Sequence, residues 1–324
     1  MPSPKIVIFN DTHGWHSEQL VSALRLLGIT AVLTDLADCT IDLDSPTGML
    51  IPGFENQLPD AAMVRGIAPG SLEQITLRMD LLHTLAELGV PVFNPASAIE
   101  HTVDKARTSL RLQLAGLNTP KTWATENREI AREIATRQFS NGNALVIKPL
   151  FGCMGKGIKK ISNIEEFDTI YAVGDAFYMQ EYVGSMGSDS IDLGLPPNNH
   201  TENQSSLTPL IWQDWRLMVI DNQVCATMSR RSQHWITNFA QGAECFATTV
   251  TPEMEQLAIK ATQAVQADYA GVDLIRQQDG SYTVLEVNSV PAWKGLYQAT
   301  GINAATYLAQ ALAKRIATPR TMTC

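Results

Sequence analysis

The chain has 324 residues, 45% hydrophobic and 18% charged, which allows two or three subdomains with sizeable cores and excludes a disordered chain or a stapled miniature. A formal net charge of −9 offers no basic field, so a small-molecule or peptide partner is expected, with no nucleic acid and no membrane. The five cysteines are scattered without metal-ligand spacing, and no run has the length of a signal segment or membrane span, so reduced thiols in a cytoplasmic protein are expected.

Residues 5–10, KIVIFN, form a continuous apolar run suited to a buried parallel strand. The spacing predicts a helix after it, capped by Ser17, with Leu20, Val21, Leu24 and Leu27 on one face and Gly28 as its stop. Strands over 29–36, 61–67 and 90–94, with a helix over 71–89, complete an alternation that implies right-handed crossovers and an open parallel sheet. His13, His16 and Arg65 follow strands, on the rim where such sheets bind ligands.

Residues 96–120 read as a helix or helix pair closed by Gly116 and Pro120, with Asp104 and Lys105 ahead of its amphipathic run. ALVIKP (144–149) is a strand with Lys148 near its exit. The loop that follows carries Gly152, Gly155 and Gly157, and glycine permits positive φ and close approach of backbone N–H groups to phosphate oxygens. It does not match the GxxxxGK[ST] phosphate loop. Residues 176–183 form a strand suited to offering a backbone edge to an adenine. Residues 184–211 are a polar tract rich in Gly, Ser, Asn and Pro, read as a lid or a disordered insertion.

Beyond it, Asp221-Asn222 predicts a hairpin that sets Arg216, Arg230 and Arg231 on adjoining strands. Convergent guanidiniums beside an acidic metal site suit phosphoryl transfer. Thr251, Pro252 and Glu253 start a helix expected to reach about Tyr269. A final helix near 303–316 precedes a fraying tail.

Between these helices, Asp279-Gly280 favours a two-residue hairpin turn, which sets Asp273 opposite Glu286. Opposed like charges repel, so Asp273→Asn is expected to melt no lower than the parent in chelator. Asn288 shares the face of Glu286, since strand side chains alternate. Two carboxylates and an amide oxygen make a hard-oxygen site for Mg²⁺ or Mn²⁺. A surface hairpin with two solvated acids is the alternative.

Lysine-bearing strand, glycine loop, QEY strand, paired arginines, GVD and EVN together resemble the ATP-grasp superfamily, and best its RimK-like glutamate ligases, over residues 96–316. VRGIAPGSLEQ (64–74), WITNFAQGAE (235–244) and NSVPAWKGL (288–296) are similar to RimK relatives linked to tetrahydromethanopterin pathways. The resemblance implies α/β and α+β parts: an ATP-grasp fold with an N-terminal open parallel α/β (pre-ATP-grasp) domain at 1–95, a central lobe at 96–183 and a C-terminal lobe with the metal site at 184–324. It implies ATP between the lobes, with Lys105 and Lys148 at the phosphates, Gly152, Gly155 and Gly157 in the loop above them, and Glu181, Tyr182 and Val183 at adenine and ribose. Asp214 and Arg216 match the family's Asp-x-Arg, with Asp214 placed on the nucleotide side. Asp273, Glu286 and Asn288 match ligands of two metal ions, Arg230 faces the transferring phosphoryl group, and Arg216 or Arg231 faces the substrate carboxylate. One departure is Ile236, ahead of Thr237-Asn238, where the family carries a basic residue.

The activity implied is ATP-dependent carboxylate–amine ligation through an acyl phosphate, adding L-glutamate to a carboxylate-bearing coenzyme or peptide, with a homo-oligomer left open. Alternatives are a dipeptide or amino-acid ligase of the same superfamily and an ATP-binding module without turnover.

Overall fold

A computed structural model describes residues 3–152, 155–184 and 212–317. The opening apolar run becomes β1 (Lys5–Phe9), followed by α1 (Trp15–Leu26) and β2 (Thr30–Thr34). A small ribbon of β3 (Thr40–Ile41) and β4 (Met49–Leu50) precedes β5 (Ala62–Val64), α2 (Leu72–Glu87) and β6 (Val92–Phe93). The main strands pair in parallel in the order β2-β1-β5-β6, as the alternation predicts. Ser17 is a correction. The helix starts earlier than expected, with Gly14 as N-cap, and the Ser17 hydroxyl accepts from the Gly14 amide at 3.1 Å from inside the first turn.

Residues 96–120 resolve into a pair, α3 (Ala96–Val103) and α4 (Lys105–Leu114). The break is at Asp104, whose carboxylate accepts from the amides of Ala106 and Arg107, an N-cap that starts the second helix. A central lobe follows: β7 (Thr122–Thr125), α5 (Arg128–Ser140), β8 (Leu145–Lys148), β9 (Lys159–Ile161), α6 (Ile164–Asp168) and β10 (Phe177–Glu181). Its antiparallel sheet, β7-β10-β8-β9, has a core of its own around Leu145, Ile147, Phe167 and Met179.

The last part comprises β11 (Trp212–Ile220), β12 (Gln223–Ser232), β13 (Glu244–Ala247), α7 (Pro252–Ala264), β14 (Tyr269–Arg276), β15 (Tyr282–Asn288), α8 (Lys294–Thr300) and α9 (Ala304–Ala317). The expected hairpin joins β11 to β12, and Asp221 and Asn222 both take positive φ, 48° and 60°, as a type I′ turn requires. Thr251 caps α7 as expected, but the helix ends at Ala264, five residues before the strand that begins at Tyr269.

The sheet runs β13-β12-β11-β14-β15. One face packs Leu217, Val219, Val272 and Leu274 against α4 and α7. The other buries Met218, Ile220 and Tyr269 in one cluster with Ile6 and Ile8 of β1 and Leu308 and Leu312 of α9. The N-terminal sheet and the C-terminal lobe therefore share a core, whereas the central lobe has a separate one. The tract over 185–211 and the tail from 318 lie outside the described residues. Cys39, Cys225 and Cys245 are free thiols. Among the described residues no helix is long and apolar enough to cross a membrane.

Candidate active site

Asp273 does face Glu286, through two departures from the expected hairpin that compensate. The turn is a three-residue loop, closed by the Gln277 amide donating to the Ser281 carbonyl at 2.8 Å, with Gly280 at φ +87°. Pairing then runs from Arg276 with Tyr282 to Leu274 with Val284. Leu285 is skipped as a bulge, which restores Asp273 opposite Glu286 and Gly271 opposite Asn288.

Asp273 is 5% exposed and is met by two guanidiniums. Arg216 forks onto it, Nε to Oδ1 and Nη2 to Oδ2 at 2.7 Å, and Arg230 Nη2 lies 2.9 Å from Oδ2. Arg230 is itself forked by Asp214, at 2.7 and 2.5 Å, and Thr237 donates to Asp214 Oδ2 at 2.6 Å. Strand register causes this: Asp214 pairs with Arg230 and Arg216 with Asp273, and period-two alternation brings all four to one face. Burial alone would raise the Asp273 carboxyl, but Arg216 and Arg230 outweigh it and hold it at about 2. Burial would likewise lower Arg230, and its two carboxylate partners more than reverse that. Asp214 is pushed upward by burial, with Arg230 opposing.

Two expectations change here. Asp273 is neutralised by arginine rather than left repelling Glu286, which is exposed, so Asp273→Asn has no repulsion to relieve. Arg231, adjacent to Arg230 on an alternating strand, takes the opposite face and lies 4.8 Å over the Phe246 ring, away from the cluster. Asp214 serves as the buried partner of Arg230.

Gly271 makes room for the cluster. A methyl group there would lie 2.9 Å from Pro291 Cβ and 3.2 Å from Arg216 Cδ. Gly271→Ala is therefore expected to lower stability by about 1–3 kcal/mol, the usual cost of overpacking. An unchanged thermal melt would mean that the Pro291 loop yields freely.

The opposite wall of the cleft carries the lysines. Lys148 donates to Gln180 Oε1 at 2.6 Å, and Gln180 donates to Thr122 at 3.0 Å. Lys105 donates to the Gly152 carbonyl at 2.7 Å. Burial lowers the Lys148 pKa, Glu286 and then Asp273 oppose this, and Lys105 adds to it. Lys148 of β8 thus lies within electrostatic reach of the acids of β14 and β15 and of Lys105 at the start of α4. Gly155 and Gly157 take φ of +69° and +74°, the left-handed region that glycine enters without strain. A methyl at Gly155 would lie 2.7 Å from Gln241 Nε2 and 3.5 Å from Ile236 Cγ2, so the loop meets the C-terminal lobe on Gln241 and Ile236. Residues 153 and 154 lie outside the described set.

Strand β10 is interior to its sheet, and the amides of Glu181 and Tyr182 are bonded to the carbonyls of Lys121 and Ala144, both at 2.8 Å. The amides of Glu181 and Tyr182 are therefore taken, which leaves carbonyls here and the backbone from Val183 onward to present an edge to a base. Tyr182 is fixed by Trp212 Nε1, which donates to its hydroxyl at 3.1 Å, and Lys160 lies 3.6 Å over its ring.

The donor set suits a hard divalent cation. Glu286 is exposed and makes no hydrogen bond among the described residues, and Asn288 Oδ1, on the same face, accepts only from the Val290 amide at 2.9 Å. Among the described residues no three His, Cys, Asp or Glu side chains gather as a metal cage. A metal here would take the two acids, the Asn288 amide oxygen, and water or phosphate oxygens.

Asn94, unnoticed in the sequence, ties this hairpin to the N-terminal sheet. It is fully buried; its amide donates to the carbonyls of Tyr269 (2.7 Å) and Ser289 (2.6 Å), and its oxygen accepts from the amides of Asp268 and Tyr269. Tyr269 donates to the Val64 carbonyl at 2.6 Å. A polar residue closing an apolar strand ahead of Pro95 was the available signal.

Of the rim residues, His13 is exposed, while His16 Nε2 accepts from the Trp293 amide at 3.1 Å. Burial, then Arg65 and Lys294, lower His16 to about 4. Its folded value lies below the ordinary 6.5, so its contribution to stability is complete above pH 6.5 and is lost as pH falls toward 4. Thermal melts are expected to decline over that window. His16→Gln should flatten this part of the profile, and an unchanged slope would assign it to other groups.

A fold that sets the glycine loop and Lys148 of the central lobe, with Lys105 at the head of α4, against a carboxylate and arginine sheet of the C-terminal lobe defines an ATP-grasp enzyme. Residues 102–312 match the RimK-like ATP-grasp domain, and the chain belongs to that family. It is 32% identical over 253 residues, 76% of each chain, to the tetrahydromethanopterin:alpha-L-glutamate ligase of Methanococcus maripaludis. It is 26% identical to the enzyme of that name from Methanosarcina acetivorans, over 94% of this chain and 97% of that one. The ATP-grasp ligase PsnB, solved with a minimal precursor, Mg and ADP, superposes with a TM-score of 0.68 at 19% identity, over 97% of this chain and 98% of that one. ATP and magnesium are thus consistent with the family.

Proposed function

We propose that this chain uses ATP to add L-glutamate to the carboxylate of a tetrahydromethanopterin-like coenzyme. The observation that carries the proposal is the site itself, where Lys148, with Lys105 beside it on the glycine-loop carbonyl of Gly152, lies within electrostatic reach of Glu286 and the arginine-braced Asp273. The coenzyme ligases among the relatives support the substrate class.

In such a reaction a substrate carboxylate oxygen bonds to the γ-phosphorus of ATP and ADP leaves. The amine nitrogen then bonds to the acyl carbon, phosphate leaves and the nitrogen gives up a proton. The protein's part is mainly positioning and charge neutralisation. Lys105 and Lys148 hold phosphates, the loop over 150–158 covers them, and Glu181, Tyr182 and Val183 meet the adenine and ribose. Arg230 is braced by Asp214 and Asp273 and keeps Nη1 for the transferring group; Arg216 lies beside it for the substrate carboxylate. Asp273, Glu286 and Asn288 would hold two ions, Mg²⁺ or Mn²⁺, which neutralise developing charge on the phosphoryl oxygens.

The test is ADP release by the purified protein with Mg-ATP, first with single amino acids, then with glutamate and cell extract. A product heavier by one glutamyl unit is expected only in the second case. ADP release with amino acids alone would favour the amino-acid ligase, and no release in either arm would sink the ligase reading.

A further inference from the structure

Next to the acid and arginine cluster lies a second group of donors that the mechanism above leaves unused. Arg65 follows β5 and is 8% exposed, with its guanidinium carbon 4.5 Å from the centre of the Trp293 ring. The Tyr269 hydroxyl is one hydrogen-bond partner of the guanidinium, but among the described residues Arg65 Nε and Nη1 are buried without an acceptor, and so is Nε1 of the fully buried Trp293. Among the described residues neither Arg65 nor Lys294 joins an ion pair. His16 uses Nε2 to accept from the Trp293 amide, so its neutral ring offers Nδ1–H as a further donor rather than a negative partner.

Buried donors are nearly always satisfied, and two guanidinium nitrogens left without an acceptor are a costly exception. A single water accepts only about two hydrogen bonds and brings no charge, so three buried donors on and beside a cation, with Lys294 at the rim, suit an anion. A carboxylate matches the planar fork of an arginine. The place suits a substrate: the donors sit at the carboxyl end of the parallel strands, where open sheets bind ligands, and on the loop that leaves Asn288. Exposure alternates along that loop, with Pro291 and Trp293 buried and Ala292 and Lys294 exposed, and the Trp293 ring packs in the core shared by β1, β11 and α9.

We propose that Arg65, Trp293 Nε1 and Lys294 form a subsite for a substrate carboxylate that is not the one being activated. The inference rests on the ligase reading. Two sources carry such a group, the amine substrate through its α-carboxylate and the acceptor through a second carboxylate on its tail.

The test is calorimetric titration of the full chain, with Mg²⁺ and a non-hydrolysable ATP analogue, using L-glutamate and N-acetyl-L-glutamate as the two probes. In Arg65→Met the affinity for one probe is expected to fall at least tenfold. Trp293→Phe, which keeps a ring but removes the donor, should weaken the same probe several-fold, and Arg65→Lys should fall between parent and Arg65→Met. Affinity for the ATP analogue should stay within about twofold in all. Loss of L-glutamate binding assigns the site to the amine substrate, and loss of N-acetyl-L-glutamate to the acceptor. Should Arg65→Met fail to fold, Trp293→Phe carries the test. Equal binding of both probes by parent and folded variants, or of neither by a parent that binds nucleotide, overturns the inference while leaving the ligase reading intact. A parent that binds no nucleotide strikes the ligase reading and the inference with it.

Discussion

Asp273→Asn should melt well below the parent, with chelator or without. The parent cluster is balanced, Arg216 and Arg230 against Asp214 and Asp273, all four on one sheet face. Removing one carboxylate leaves a net positive charge where Asp273 is 5% and Arg230 4% exposed. Breaking a buried pair by deleting one partner costs about 3–5 kcal/mol, a large share of the roughly 5–15 kcal/mol that holds a protein folded. Adding Arg216→Met restores the charge balance and should recover part of the loss, which a double-mutant cycle measures directly. A single variant melting at or above the parent would mean that repulsion from Glu286, not pairing with arginine, sets the energy of this site.

Glu286→Gln should behave in the opposite way. Glu286 is exposed and makes no hydrogen bond among the described residues, so stability should change by no more than ~0.5 kcal/mol. Its proposed work is to hold metal beside the phosphates, where charge stabilisation is worth several kcal/mol. ADP-forming turnover should fall at least ~100-fold, and the Mg²⁺ needed for half-maximal rate should rise. Turnover within threefold of the parent would remove Glu286 from the metal site. Across one hairpin, Asp273 would then be a residue of stability as well as function, and its strand neighbour a residue of function alone.

Elements announced by local chemistry were legible in the sequence: the parallel alternation before residue 95, the Asp221-Asn222 turn and the Thr251 cap with Pro252 behind it. Strand β13 was not, because Glu244–Ala247 is short, mostly exposed and without apolar alternation. The Leu285 bulge was hidden because a skipped residue and a longer turn cancel at Asp273, so the right pair came from the wrong turn. The partners of Asp273 could not be read locally. They depend on how β11 aligns with β14, and Arg216 and Asp273 are 57 residues apart in sequence. The partner of Asp214 was hidden in the same way. A two-residue Asp221-Asn222 turn alone would set Asp214 opposite Ser229; the chain skips Cys225 next to Met218, and that bulge brings Arg230 opposite instead. Alternation shows that Arg230 and Arg231 take opposite faces, but the bulge decides that Arg231 is the one turned away.

The cluster that joins β1 to β11 and α9 also decides what can be exchanged among relatives. A chain begun at Ala96 would lay bare Met218, Ile220, Tyr269, Leu308 and Leu312, and would lose the Asn94 hydrogen bonds that position the backbone on either side of the hairpin. The N-terminal sheet is therefore no cassette to be traded for substrate preference at a seam near residue 95. A working chimera would have to carry α9, Tyr269 and the 289–296 loop together with residues 1–95, so the heritable unit of specificity runs from both ends of the chain and encloses the nucleotide lobe between them.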